Sequence, residues 1–141
     1  MRTIAALAAV LALVGTSCSK KEESSTPKSS AAPVALQGIV NQKETKDLTA
    51  SGAEVELSLE IDDFYFNPTF IKATPGAKVN VELENEGDNQ HTFTIDAPKV
   101  DETLDPGKKI EVTFTLPSTG AVSFYCRFHK AQGMQGAFYV A

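Results

Sequence analysis

Most of the chemistry available to this 141-residue chain sits in four residues: His91, Cys126, His129 and Met134. The chain holds only 2 Cys, 2 His and 2 Met, so three scarce residue types supply all four. Cys126, His129 and Met134 follow one another with C-x2-H-x4-M spacing, and the loop between them returns His129 and Met134 toward the cysteine. One thiolate, two imidazoles and one thioether are soft to borderline donors. They suit copper in both of its oxidation states better than they suit magnesium, calcium or manganese, and two histidines and a cysteine with a weak axial methionine are the arrangement of blue-copper sites. Zinc also accepts two imidazoles and a thiolate, although a thioether adds little to a structural zinc site.

For these donors to meet, strands must carry them to one point. Val55, Leu57, Leu59 and Ile61 alternate with Glu54, Glu56, Ser58 and Glu60, the period-two pattern of a half-buried strand. The same alternation recurs at Val79-Val81-Leu83, Phe93-Ile95, Ile110-Val112-Phe114-Leu116, Val122-Phe124 and Phe138-Val140. Turn signals separate the runs at Asn67-Pro68, Pro75-Gly76, Asn85-Glu86-Gly87, Pro106-Gly107 and Pro117-Ser118-Thr119-Gly120. No stretch of helical period competes, and about seven or eight short strands at this spacing predict an all-β sandwich. His91 shares the inward phase of Phe93 and Ile95 at the start of one strand, and Cys126 shares that of Val122 and Phe124 at the end of another.

Composition removes several alternatives. Two cysteines cannot staple a disulfide scaffold, and two histidines cannot build a zinc site of three imidazoles. A net charge of −5 with scattered Lys and Arg argues against a nucleic-acid partner. No nucleophile is paired with a base and an orienting group, so the chain does not read as an enzyme. Residues 1–18 read as a signal peptide: Met1-Arg2 is a short positive start, and residues 3–17 are apolar or small with no charge. The small residues Gly15-Thr16-Ser17 before Cys18 are similar to a bacterial lipobox, in which the cysteine takes the lipid. Gly15 stands where such signals usually carry Leu, which leaves plain cleavage open, and either route puts the protein outside the cytoplasmic membrane. Residues 19–52, rich in Ser, Lys, Glu and Pro at their start, read as a flexible tether. Residues 53–141 then form the globular domain, which is expected to be a monomer.

Tyr125-Cys126-x-x-His129-x-Ala131-x-Gly133-Met134-x-Gly136, with His91 upstream, resembles the cupredoxins, and the ligand loop has the spacing found in plastocyanin and pseudoazurin. Phe66-Asn67-Pro68-x-x-Ile71-x-Ala73-x-Pro75-Gly76-x-x-Val79-x-Val81 resembles the strand pair before the first ligand histidine in small bacterial cupredoxins. The resemblance covers residues 55–141 and implies a Greek-key β-sandwich holding one copper ion. It makes His91 the buried imidazole ligand, Cys126 the thiolate, His129 the imidazole at the surface and Met134 the weak axial donor. It also implies a one-electron carrier serving redox protein partners, and the lipobox-like segment would bring it to the membrane through lipid on Cys18. A copper-delivery or storage protein is the alternative, and a structural sandwich without metal would leave the ligand pattern unexplained. Around His129, Phe128, Ala131 and Pro98 are candidates for an apolar docking patch, and Tyr125 resembles a second surface route for electrons. Two positions depart from the family pattern: Phe128 replaces a proline, and Thr92 replaces an asparagine that usually bonds across to the cysteine loop.

Overall fold

The computed structural model describes residues 33–140, so the signal segment 1–18 and residues 19–32 of the expected tether lie outside the described residues. Ten strands follow in chain order: β1 (Thr45–Asp47), β2 (Glu54–Asp62), β3 (Tyr65–Asn67), β4 (Phe70–Ala73), β5 (Lys78–Asn85), β6 (His91–Ile95), β7 (Val100–Leu104), β8 (Lys109–Thr115), β9 (Ala121–Tyr125) and β10 (Gln135–Val140). One sheet has the order β1-β4-β10-β9-β6-β7 and the other β3-β2-β5-β8, giving the expected all-β sandwich. The only helical pieces among the described residues are two 3-10 turns, Thr49–Ser51 and Lys130–Gln132.

Alternation explains the smaller sheet. Val55, Leu57, Leu59 and Ile61 on β2 and Val79, Val81 and Leu83 on β5 are all buried, and parallel pairing sets them side by side. The larger sheet contributes Phe93 and Phe124, which meet Phe66 from the other layer, and Phe138, which packs against Phe124 and against Phe114 of the smaller sheet. Phe93 and Phe124 lie 5.2 Å apart between ring centres. Each stands two residues from His91 or Cys126, so this aromatic contact, worth about 0.5–1.5 kcal/mol beyond area burial, fixes β6 against β9 behind the candidate ligands.

β6 departs from alternation because all five of its residues are buried. Thr92 and Thr94, expected to face water, are covered by Arg127 and Asp101. Their hydroxyls are satisfied in a chain that runs from Thr92 through Thr94 to the Asp101 carboxylate, at 3.1 and 3.0 Å. β1, β3 and β7 are short edge strands, and they lack the apolar rhythm that marks the longer ones.

The domain starts earlier than residue 53. β1 pairs in parallel with β4, and the Asn41 N–H donates to the Gly133 carbonyl at 2.9 Å. The Gln135 side-chain amide donates to the carbonyls of Gln37 and Ile39 at 2.8 and 2.6 Å. The tether reading therefore fails for its last part. Backbone and amide hydrogen bonds hold residues 37–47, and such bonds leave no apolar periodicity in sequence.

Gly136 faces Phe124 across the β9–β10 register. A methyl group there would overlap the Thr69 carbonyl and come within 2.5 Å of the Phe124 ring. Gly136→Ala is therefore expected to destabilise the domain by about 1–3 kcal/mol. Chemical denaturation compared with the parent checks this, and an unchanged midpoint would contradict such close packing.

Candidate metal centre

Strand ends and one loop assemble the site. His91 opens β6, and Cys126 follows the last residue of β9, both fully buried. The chain then turns tightly on itself. The Cys126 carbonyl accepts from the N–H groups of His129 and Lys130, and the His129 carbonyl accepts from those of Gln132 and Met134. This winding brings His129 back over Cys126. The Met134 carbonyl accepts from the Cys126 N–H at 3.0 Å, so Met134 runs beside the cysteine with its side chain buried in the apolar core.

Three of the four expected donors converge directly. Cys126 Sγ lies 3.8 Å from His91 Nδ1 and 3.5 Å from His129 Nδ1, and the two Nδ1 atoms are 3.1 Å apart. These separations suit ligands around one ion at bond lengths of about 2.0–2.3 Å. His91 and Cys126 are shielded from water, whereas His129 is half-buried and reaches the surface.

Electrostatics prepare the thiol for metal. Burial pushes the Cys126 thiol up, but hydrogen bonds from His91 and from the backbone N–H groups of Thr92, Phe128 and His129 outweigh it and bring it down to about 6. Burial also pulls the His91 imidazole down, and its bonds to Cys126 and Asp63 reverse that to a net upward shift. The Thr92 N–H donates to Cys126 Sγ at 3.3 Å. Thr92 Oγ1 accepts from the Arg127 N–H at 2.8 Å, so the threonine provides the cross-link to the cysteine loop that asparagine usually makes.

Three contributors were not legible as site residues. Asp63 Oδ1 meets His91 Nε2 at 3.1 Å, and Phe64 sets its ring edgewise to His129 with centres 5.0 Å apart. The Asn41 side-chain amide donates to the carbonyls of both Phe64 and Gln132, at 2.7 and 2.8 Å. The sequence signal for the first two is the interruption of the β2 alternation at Asp62-Asp63-Phe64, which marks the two-residue turn into β3. Asn41 carries no comparable signal.

A family model described as Cupredoxin-like domain matches residues 5–140. No curated protein matches the sequence. Among solved structures, the dithionite-reduced auracyanin of Roseiflexus castenholzii is 22% identical, with a TM-score of 0.54 over 64% of this chain and 99% of that one. A chain of a heme-copper terminal oxidase dimer is 21% identical, with a TM-score of 0.58 over 77% and 78%. The copper nitrite reductase of Nitrosomonas europaea is 23% identical, with a TM-score of 0.52 over 62% of this chain and 41% of that one. With the matched fold, the gathered thiolate and imidazoles and the adjacent Met134 are positioned to bind one copper ion.

Because metal binding requires the thiolate, a proton competes with copper for Cys126 Sγ. The depressed thiol keeps that competition weak at neutral pH. Copper loading is expected to hold there and to fall as the pH drops below about 6. Equilibrium dialysis across this range checks it, and loading that stays flat into strong acid would contradict it.

Proposed function

The chain belongs to the family of cupredoxin-like domains, and from that premise we propose that it is a mononuclear blue copper protein carrying single electrons between redox partners outside the cytoplasmic membrane. The observation that carries this reading is the convergence of Cys126 Sγ with the Nδ1 atoms of His91 and His129 at strand ends of a closed sandwich. Met134, buried beside Cys126, would supply the weak fourth donor. Copper, when bound, supplies reversible one-electron exchange between Cu(I) and Cu(II).

The protein's part is to keep the donors still. His91 and Cys126 sit where strands enter and leave the core, and the Thr92 bonds to Sγ and to the Arg127 N–H restrain the cysteine from both sides. Donors held in one arrangement reorganise little when charge changes. His129 is the exit for electrons. Phe64 and Phe128 flank its ring, at 36% and 48% exposure. Ile39, at 63%, lies over Gly133 of the same loop. These three are the exposed large hydrophobic residues among those described, and they form an apolar rim to which a partner docks.

The cations beside this rim have neighbours already. Arg127 pairs with Asp101 at 2.8 Å, and the Lys130 ammonium lies 4.0 Å from the centre of the Tyr125 ring. This supports docking by apolar contact more than by charge. Both histidines of the chain and the one cysteine among the described residues serve a single cluster. That commitment favours a carrier over an enzyme, which needs an open coordination position, and over a storage protein with exchangeable sites. The signal-like segment ending at Cys18 supports export, with lipid on Cys18 as the anchor.

Added Cu(II) is expected to give the chain lacking residues 1–18 an intense blue colour from sulfur-to-copper charge transfer, with reversible one-electron cycling by voltammetry. Cys126→Ser removes the colour, whereas Met134→Leu keeps it and raises the potential. A colourless, freely exchanging complex would overturn the carrier reading in favour of copper delivery or storage.

A further inference from the structure

His91 has two ring nitrogens with different neighbours. Nδ1 faces Cys126 and His129, while Nε2 faces the Asp63 carboxylate at 3.1 Å. A carboxylate only accepts, so Nε2 carries the hydrogen; in the neutral ring Nδ1 is then left with a bare lone pair directed at the cluster, and the hydrogen bond to the Cys126 thiolate belongs to the protonated ring. With His91 neutral, the 3.1 Å contact between the two Nδ1 atoms in the metal-free chain then makes His129 the donor.

Asp63 is itself held in place. The Asn89 N–H donates to the same Oδ1 at 3.2 Å. Asn85 is fully buried and shapes the loop that brings Gly87 alongside: its amide donates to the Asn89 and Leu104 carbonyls, and its Oδ1 accepts from the Gly87 N–H. A β-carbon at Gly87 would come within 2.6 Å of Asp63 Oδ1 and 3.2 Å of His91 Nε2, so the glycine leaves the space in which the pair meets. On the other side of the turn, Phe64 occupies the left-handed region at φ 73°, a rare conformation for a bulky residue, and lies against His129. Asn41 pins its carbonyl. A two-residue turn outside the ligand set thus touches both imidazoles.

We propose that Asp63 is a positioning residue for the metal centre: it locks His91 in the tautomer that presents Nδ1 to the metal, and its fixed negative charge behind the ligand lowers the reduction potential. The potential half of this rests on the copper reading above, whereas the tautomer half does not. A carboxylate hydrogen-bonded to a ligand imidazole orients the ring and raises its basicity. Negative charge near the centre favours Cu(II) over Cu(I), hence the direction of the shift.

Two substitutions separate orientation from charge. In Asp63→Asn, the amide oxygen still accepts from Nε2–H, so the tautomer and copper affinity stay near those of the parent while the potential rises. In Asp63→Ala, the acceptor is gone. The His91 tautomer becomes mixed, copper affinity falls by about 10–100-fold, and the potential rises as well. The tautomer is read from the ring nitrogen shifts of the metal-free full chain, on the alkaline plateau where those shifts no longer change with pH. Gly87→Ala, which pushes on the same contact from outside, is expected to disturb the tautomer in the same sense and serves if Asp63→Ala does not fold. An unchanged tautomer in Asp63→Ala or Gly87→Ala would overturn the orienting role, and an unchanged potential in Asp63→Asn would overturn the charge role. A parent chain that fails to turn blue refutes the carrier reading, and the metal-free nitrogen shifts then decide the role of Asp63 by themselves.

Discussion

Three atoms bearing lone pairs, one sulfur and two imidazole nitrogens, face one another within 4.8 Å at the end of an apolar core. Without protons or a cation between them they repel, and their burial removes the water that would screen this repulsion. Such an arrangement persists only if the surrounding structure over-determines it. The ten strands and the cross-links around the cluster can be understood as the means of holding that unfavourable constellation in place. Hydrogens shared among these atoms relieve the repulsion in the metal-free chain, and a cation between the donors would take over that role and convert the crowding into affinity.

Restraint reaches the cluster by two routes. Apolar packing fixes the strand ends: Phe93 and Phe124, in contact at 5.2 Å, hold β6 and β9 so that His91 and Cys126 cannot separate. Hydrogen bonds fix the loop. Thr92 bonds both Cys126 Sγ and the Arg127 N–H, and its hydroxyl is joined through Thr94 to Asp101, which also pairs with Arg127. Because these groups bond mainly to one another, burying β6 on both faces leaves its two threonines satisfied. The strand's departure from alternation is thus part of how the site is held.

The residues legible in sequence were those whose position follows from a local rule. Strand phase put His91 and Cys126 inward, and loop spacing returned His129, because side-chain direction alternates along a strand and short loops have limited reach. The two-layer fold was legible for the same reason, since long alternating runs such as β2 and β5 announce themselves. Asp63, Phe64 and Asn41 obey no such rule. Their contacts join residues 28, 65 and 91 positions apart in the pairs Asp63–His91, Phe64–His129 and Asn41–Gln132. None is marked by hydrophobic period, and a polar residue in a Ser/Lys/Glu-rich stretch looks solvated until its partner is known. The early start of the domain escaped for this reason too: amide and backbone hydrogen bonds hold residues 37–47, with little apolar burial.

Asn41 shows why this less legible layer matters. The ligand loop has one 3-10 turn and no ladder of its own, so its internal carbonyl-to-amide bonds fix its shape but not its position on the sandwich. Asn41 supplies position. One side-chain amide spans from the Gln132 carbonyl on the loop to the Phe64 carbonyl on the β2–β3 turn, while its backbone N–H donates to the Gly133 carbonyl. The strained Phe64 is held by the same amide that seats the loop. Strain of about 1–3 kcal/mol at such a residue survives only where neighbouring bonds leave no alternative. A segment with the composition of a linker therefore closes a triangle with the loop carrying His129 and the turn touching both imidazoles. Through that triangle, the spacing between the buried and the exposed histidine is set from outside the ligand set.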